Sequence, residues 1–287
     1  MHMRNGADKH EMENYKMSVK ELKDFAAHIR IATLEAIGTL GHGHVGGCLS
    51  ICDVLAVLYA GEMIIDAKNP DWEDRDWLVV SKGHAGPAVY ATLALKGYFD
   101  KDVLSTLNCG GTTLPSHCDR TKTPGIDMTA GSLGQGLSAA AGIALGLQKK
   151  GKKNYVYCIV GDGESQEGQI WEAVLFAPQK KLNNLICFID DNKQQLDGYT
   201  SDIMNVEDME KKFGSFNWFV QSIDGHDLEQ ISSAIHKAKE SGKAAAIILN
   251  TKKGMGADFA MNRPDNHHMH VDMKDIKFAI AKLESTL

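Results

Sequence analysis

VYCIVGDGESQEGQIWEAV, Val156–Val174, changes its hydrophobic period halfway. Val156–Val160 closes a short apolar run, YVYCIV, rich in β-branched and aromatic residues, the signature of a buried strand. GQIWEAVLFA, 168–177, reads as a helix, and NLICFIDD, 184–191, as a second buried strand. Strand, helix and strand in that order form a βαβ unit, whose strands run parallel. Outward from it, WLVVS (77–81), WFVQSI (218–223) and AAAIILN (244–250) read as further strands. The alternation predicts an α/β fold, an open, mostly parallel sheet with helices on both faces. No repeat, low-complexity tract or linker interrupts 18–287, which is expected to be one domain.

The helices carry their own signals. Ser18-x-x-Glu21 is a capping box opening an amphipathic pattern through Leu22, Phe25, Ile29, Thr33, Ala36 and Leu40. GHGHVGG, 41–47, interrupts it, and Ser50-x-x-Asp53 is expected to start the next helix, with Val54, Leu55 and Leu58. HAGPAVYATLALKGY (84–98) tolerates Pro87 in its first turn. After a loop-rich region, GSLGQGLSAAAGIALGLQ (131–148) reads as a helix of small side chains, either simply buried or packed closely against a second subunit or another helix. Pro178 is expected to bend or end the 168–177 helix. DLEQISSAIHKAKES (227–241) starts at Asp227-x-x-Gln230, and Asp275–Leu283 forms a last helix.

Hydrophobic residues make up 43% of the 287, and charged residues 24%, enough for a large core. A net charge of −6 offers no basic field for nucleic acid or anionic lipid. MHMRNGADKHEMENYKM, 1–17, has no apolar core; a poorly ordered arm is expected there, neither signal peptide nor membrane anchor. Apolar runs such as Ala244–Leu249 are too short to span a bilayer. Six scattered cysteines without a C-x-x-C pair predict a reduced, cytoplasmic protein lacking structural zinc. Cys48 and Cys52 fit one helix face but lack the spacing of a metal site.

In an open α/β sheet, ligands sit beyond the carboxyl ends of the strands. Asp162 ends one strand and Asp190-Asp191-Asn192 ends the next, so Asp162 and Asn192 are expected to converge. A carboxylate, an amide oxygen and a backbone carbonyl form a partial hard-oxygen shell suited to Mg²⁺ or Ca²⁺, with phosphate oxygens and water completing it. Gly161 and Gly163 would let the backbone approach a diphosphate and offer it N–H donors. The plainer alternative is a turn acid capping the following helix. Neither G-x-x-x-x-G-K-[ST] nor a helix-opening G-x-G-x-x-G is present.

GDGESQEG followed by FIDDNKQQLDG resembles the thiamine-diphosphate motif of the transketolase family, which GDG opens and an Asn closes. QEG after GDG is closer to transketolases than to 2-oxo-acid dehydrogenases or 1-deoxyxylulose-5-phosphate synthases. GHVGG, SKGHA, the PSH loop, GSLGQG and a final His cluster extend the resemblance from about Leu22 to about Val271. It implies the diphosphate-binding domain of a thiamine-diphosphate fold, an enzyme that passes a two-carbon ketol unit from a ketose to an aldose. Pentose phosphates are the default substrates, with unusual or sulfonated sugars open. A full-length transketolase continues into pyrimidine-binding and C-terminal domains. The chain is therefore expected to be the N-terminal subunit of a split enzyme, nearly inactive without a separate pyrimidine-binding chain, in a heterotetramer of two copies of each.

The resemblance also implies roles. Asp162, Asn192 and the main-chain carbonyl of Gln194 would hold the metal; Gly161, Gly163 and Glu164 belong with the cofactor-binding residues, and Gly131 and Leu133 would approach the cofactor rings. Glu167 matches a glutamate linking two active sites across a subunit interface; the alternative is an exposed first-turn acid. His44 and His267 match positions that assist proton transfer at the substrate oxygen. His84 would lie near the diphosphate, and His117 would bind the donor's hydroxyl end; imidazoles suit both tasks. Asn266-His267-His268 replaces the family's Trp-His-Gly, which leaves His268 as an alternative to His267, and His42 shadows His44. The PSH loop departs from T-P-G-H-P-E. His28 and His236 read as helix-surface residues and His226 as a loop residue. The rivals are a chain of another thiamine-diphosphate enzyme and a non-catalytic binding module; the set of histidines argues against both.

Overall fold

The computed structural model describes residues 17–261 and 263–287. The arm expected over 1–17 lies, apart from Met17, outside the described residues. The strands are β1 (His42–Gly43), β2 (Trp77–Val80), β3 (Val156–Gly161), β4 (Leu185–Asp191), β5 (Gln194–Gln195), β6 (Gly198–Tyr199), β7 (Phe219–Asp224), β8 (Ala245–Asn250) and β9 (Met269–His270). The α-helices are α1 (Val19–Leu40), α2 (Val45–Leu49), α3 (Cys52–Val57), α4 (Gly86–Leu95), α5 (Gln135–Lys149), α6 (Gly168–Gln179), α7 (Thr200–Ile203), α8 (Met209–Ser215), α9 (Leu228–Glu240) and α10 (Met273–Glu284).

Five strands form the central sheet in the order β2-β3-β4-β8-β7, all parallel, as the apolar runs predict. Alternate side chains feed two separate cores. Tyr157, Ile159, Ile186, Phe188, Ile247 and Leu249 pack with α1, α3, α4 and α9 on one face. Val156, Cys158, Val160, Cys187, Ile189 and Ile248 pack with α5, α6 and α8 on the other. Burial on both faces explains why these strands read as continuous apolar runs rather than alternating ones.

The Ser18 capping box forms, with Ser18 N–H donating to Glu21 Oε2 at 2.7 Å. Asp227 likewise caps α9, accepting from the Glu229 and Gln230 N–H groups. Two boundaries differ from the sequence reading, and a third, at Pro178, agrees with it. Ser50 does not start a helix: it closes α2, and its hydroxyl donates to Asp190 Oδ2 at 2.7 Å. α5 begins at Gln135, because Gly134 turns the chain at φ 86°, leaving Gly131–Gly134 as a loop. α6 ends at Gln179, just past Pro178, whose ring and missing N–H disfavour continuation.

One apolar run also went unrecognised. Val45–Glu62 has 18 residues of mean hydropathy 1.5, long and apolar enough to cross a bilayer; it is 94% buried within the protein. It forms α2, α3 and the turn after them, packed on α1, α4 and α9. Cys48 lies in α2 and Cys52 opens α3, its thiol donating to the Cys48 carbonyl at 3.4 Å, and burial pushes both thiols up to about 12. No cluster of three His, Cys, Asp or Glu side chains suited to a metal occurs among the described residues.

Phe188 is fully buried and stacks on Tyr157 with ring centroids 6.3 Å apart. Phe188→Ala is expected to cost about 3–5 kcal/mol, since neighbours on a sheet cannot collapse into the void. Urea unfolding should show a lower midpoint at an unchanged m-value.

Candidate functional site

Neighbouring strands deliver their C-terminal ends to one edge. Lys82 follows β2, Asp162 follows β3, Asn192 follows β4, and Thr251 to Lys253 follow β8. Asp190, the penultimate residue of β4, is fully buried at the centre of this edge. Its Oδ2 accepts from Lys82 Nζ at 2.5 Å, Ser50 Oγ at 2.7 Å and Asn192 Nδ2 at 2.9 Å. Its Oδ1 accepts from Thr251 Oγ1 at 2.5 Å. Burial alone would raise the carboxyl's pKa; the Lys82 ammonium and the hydroxyl donors overcome it and hold the group below the usual range.

Asn192 is thereby oriented. With Nδ2 committed to Asp190, its Oδ1 faces the Gln194 N–H at 3.1 Å and keeps a second lone pair. Asp162 is 1% exposed; Oδ1 accepts from the Gly163 N–H at 2.9 Å, while the buried Oδ2 has no partner. Burial, then the carboxylates of Asp190 and Asp191, lifts its carboxyl to about 7. Gln194 Oε1 and Asp191 Oδ1 are also buried without partners. Buried polar atoms rarely stay unsatisfied, and an all-oxygen set of this kind fits a hard divalent cation.

The histidines meet beside this edge. His44 lies 5.4 Å, ring to ring, from each of His84, His117 and His267, and 4.7 Å from His268. His84 and His267 are 4.6 Å apart, and His42 stands 5.3 Å from His268. The glycines of GHVGG make room: a Cβ on Gly47 would sit 2.9 Å from His84 Nε2, and one on Gly46 only 2.7 Å from the Asn266 carbonyl. Lys253 is 4% exposed and extends into the cluster, with Nζ 3.3 Å from His267 Nδ1 and donating to the Gln195 carbonyl at 3.2 Å. Burial and the Lys82 charge lower its ammonium to about 8. Burial, then neighbouring imidazoles and Lys253, brings His44 to about 4; burial, then Lys253 and His44, brings His267 to about 3. Burial and Lys82 hold His84 well below the ordinary value, and burial lowers His117. In all four rings the surroundings favour the neutral form.

His42, His44, His84, His117, His267 and His268 thus share one cluster. Gly131 abuts His117, and Leu133 is 36% exposed on the same loop. Glu167, at the N-cap of α6, is exposed and outside the histidine cluster. The Gly161 N–H donates to Glu164 Oε2 at 3.1 Å and the Gly163 N–H to Asp162 Oδ1 at 2.9 Å. Glycine at 163 is required by the chain itself, since a Cβ would come within 2.7 Å of Gln195 Cβ. Glu164 is 3% exposed and binds Ser81 Oγ and the Gly134 and Gly161 N–H groups, bracing the Gly131–Gly134 loop against β3. His28 and His236 are exposed on helices, as expected. His226 is in a loop but is largely buried against Asp53. Sequence reading placed Asp190 at a strand end without a role and missed the roles of Ser50, Lys82, Thr251 and Lys253; a Lys just past a strand's carboxyl end was the available signal for Lys82 and Lys253.

The chain matches a family model described as "Transketolase, thiamine diphosphate binding domain" over residues 21–284. It is 56% identical over 265 residues to the 6-deoxy-6-sulfo-D-fructose transketolase subunit SqwG of Clostridium sp. (strain MSTE9), covering 92% of this chain and 96% of that protein. One of the subunits of the apulose-4-phosphate transketolase of Actinobacillus succinogenes is 37% identical, with 95% and 99% covered. Among solved structures, transketolase from Campylobacter jejuni superposes with a TM-score of 0.88 at 30% identity, over 93% of this chain and 43% of that one.

Asp162 carries a sign-definite prediction. Its folded pKa, about 7, lies above the unfolded value near 3.9, so the metal-free protein keeps this group's stability contribution below pH 4 and loses it as pH rises through 7. The loss amounts to a few kcal/mol. Thermal melts should show Asp162→Asn flattening that decline, and Mg²⁺ stabilising the unmodified chain more at pH 8 than at pH 5.

Proposed function

The chain belongs to the transketolase family as a thiamine-diphosphate-binding, N-terminal-type subunit, and from that premise we propose that it transfers a two-carbon ketol unit from a sulfonated ketose to an aldose phosphate. The observation that carries the reading is the gathering of His44, His84, His117 and His267 beside the Asp162–Asn192 edge. Mere binding of a cofactor needs no such set of neutral imidazoles.

Asp162, Asn192 and the Gln194 carbonyl would hold Mg²⁺, and through it the diphosphate of thiamine diphosphate. Bound there, the cofactor supplies a nucleophilic carbon and an electron sink. Lys82 and Lys253 would lend positive charge to a diphosphate bound there. His44 and His267, neutral at pH 7, accept or return a proton at the ketose oxygen, and His117 hydrogen-bonds the donor's hydroxyl end. The clustered rings and Lys253 hold one another in place, so little reorganisation accompanies the transfer.

The donor is 6-deoxy-6-sulfofructose or a close sulfoketose, supported by the name of the 56% identical relative. Cleavage between C2 and C3 then moves C1 and C2 to the acceptor and leaves a four-carbon aldehyde carrying the sulfonate. Relatives named as transketolase subunits, matched along nearly their whole length, support a separate pyrimidine-binding partner. The assembly is a cytoplasmic heterotetramer of two copies of each chain.

Ketol transfer should appear only when this chain, its partner, Mg²⁺ and thiamine diphosphate are combined, and faster from the sulfoketose than from xylulose 5-phosphate. Transfer from xylulose 5-phosphate alone would move the donor back to the pentose phosphates; transfer by this chain without the partner would overturn the split site. His117→Ala should raise donor KM about tenfold, the loss of roughly one buried hydrogen bond, with a smaller change in kcat.

A further inference from the structure

His226 lies outside the cleft, yet both its ring nitrogens are committed. Nε2 accepts the Lys252 N–H at 2.8 Å. A backbone N–H can only donate, so Nε2 carries no proton. Nδ1 is 2.7 Å from Asp53 Oδ2 and must carry the hydrogen that it donates there. Asp53 is in turn clamped by Arg30, whose NH1 and NH2 reach its two oxygens at 3.0 and 2.5 Å. Arg30 Nε donates to the Met255 carbonyl at 3.1 Å. The ion pair is thus tied to both ends of the segment 252–255, once through His226 and once directly.

That segment presents Lys253 to the histidines. Its preceding residue, Thr251, is fixed by Asp190, and the Gly254 N–H donates to the Gly46 carbonyl at 3.0 Å. Of these tethers only the bond to His226 acts on the residue adjoining Lys253 on its N-terminal side without also belonging to the cleft. We infer that His226, fixed as its neutral Nδ1–H tautomer by Asp53, is a positioning residue that sets the Lys253 ammonium against the diphosphate subsite. The inference rests on the reading of Lys253 as a diphosphate contact.

Two variants separate the ring's two bonds. An Asn amide overlies Nδ1, so His226→Asn keeps a donor for Asp53 but loses the acceptor for Lys252. A Gln amide overlies Nε2, so His226→Gln restores that acceptor. In the full-length chain without cofactor, His226→Asn should speed amide exchange at Lys252 to Gly254 at least tenfold, and His226→Gln should return it towards the original rate. Unchanged exchange in His226→Asn overturns the inference. With the partner chain and Mg²⁺ present, thiamine diphosphate titrations should show His226→Asn weakening affinity about tenfold in the unmodified chain and less than twofold in Lys253→Ala. Equal weakening in both backgrounds means general disruption and overturns it too. Faster exchange with no affinity loss in either His226→Asn or Lys253→Ala would uphold the tether while rejecting the diphosphate role of Lys253.

Discussion

Everything at the carboxyl edge of this sheet depends on one buried ion pair. Asp190 and Lys82 come from strands separated by β3, and their contact spans the strand that presents Asp162. An isolated carboxylate at zero exposure would be prohibitively costly, so the pair, with Ser50, Thr251 and Asn192, has to form as a unit. Removing either Lys82 or Asp190 leaves the other charge stranded, a loss of about 3–5 kcal/mol in comparable sites. Lys82, Asn192 and Thr251 belong to SKGHA, IDDN and NTKKG, and Ser50 lies three residues past GHVGG, so one carboxylate ties together the segments around the candidate site.

The oxygen set beside it follows from that lock. Asp190 takes the amide nitrogen of Asn192 and so dictates which way its oxygen points. Asp190 and Asp191 also raise the charge cost of Asp162, whose second oxygen is left without a hydrogen-bond donor. A carboxylate crowded by two others favours its protonated form until a positive charge is set beside it. Imidazoles and two ammonium groups complete the polarity, with the Lys253 ammonium set among the imidazoles rather than apart from them.

Much of this was legible in the sequence because it rests on local pattern. The apolar runs gave five parallel strands. His44 and His84 each follow a glycine just beyond β1 and β2, whereas His117 and His267 lie in loops and were placed only through the resemblance to transketolases. Strand order was not legible, because β8 inserts between β4 and β7 through contacts far apart in the chain. Ser50 was misread for a related reason. Its spacing to Asp53 imitates a capping box, but its hydroxyl serves a carboxylate 140 positions away, while Asp53 serves Arg30. Lys82 and Lys253 escaped notice because lysine is normally a surface residue. The bracing role of Glu164, whose oxygens accept the Gly134 and Gly161 N–H groups, was not legible because its partners are set by the fold of the 131–134 loop.

Cys158 and Cys187 face each other across β3 and β4, each with no exposed surface, and Cys48, Cys52 and Cys118 are likewise buried; Cys109 is exposed. Thiol reagents therefore meet a chain with one ready target and five concealed ones. The labelling of the paired strand cysteines can proceed only when the central sheet itself comes apart, whereas Cys109 reports its surface loop. The protein thus carries an intrinsic clock for whole-domain opening, readable without any engineered probe.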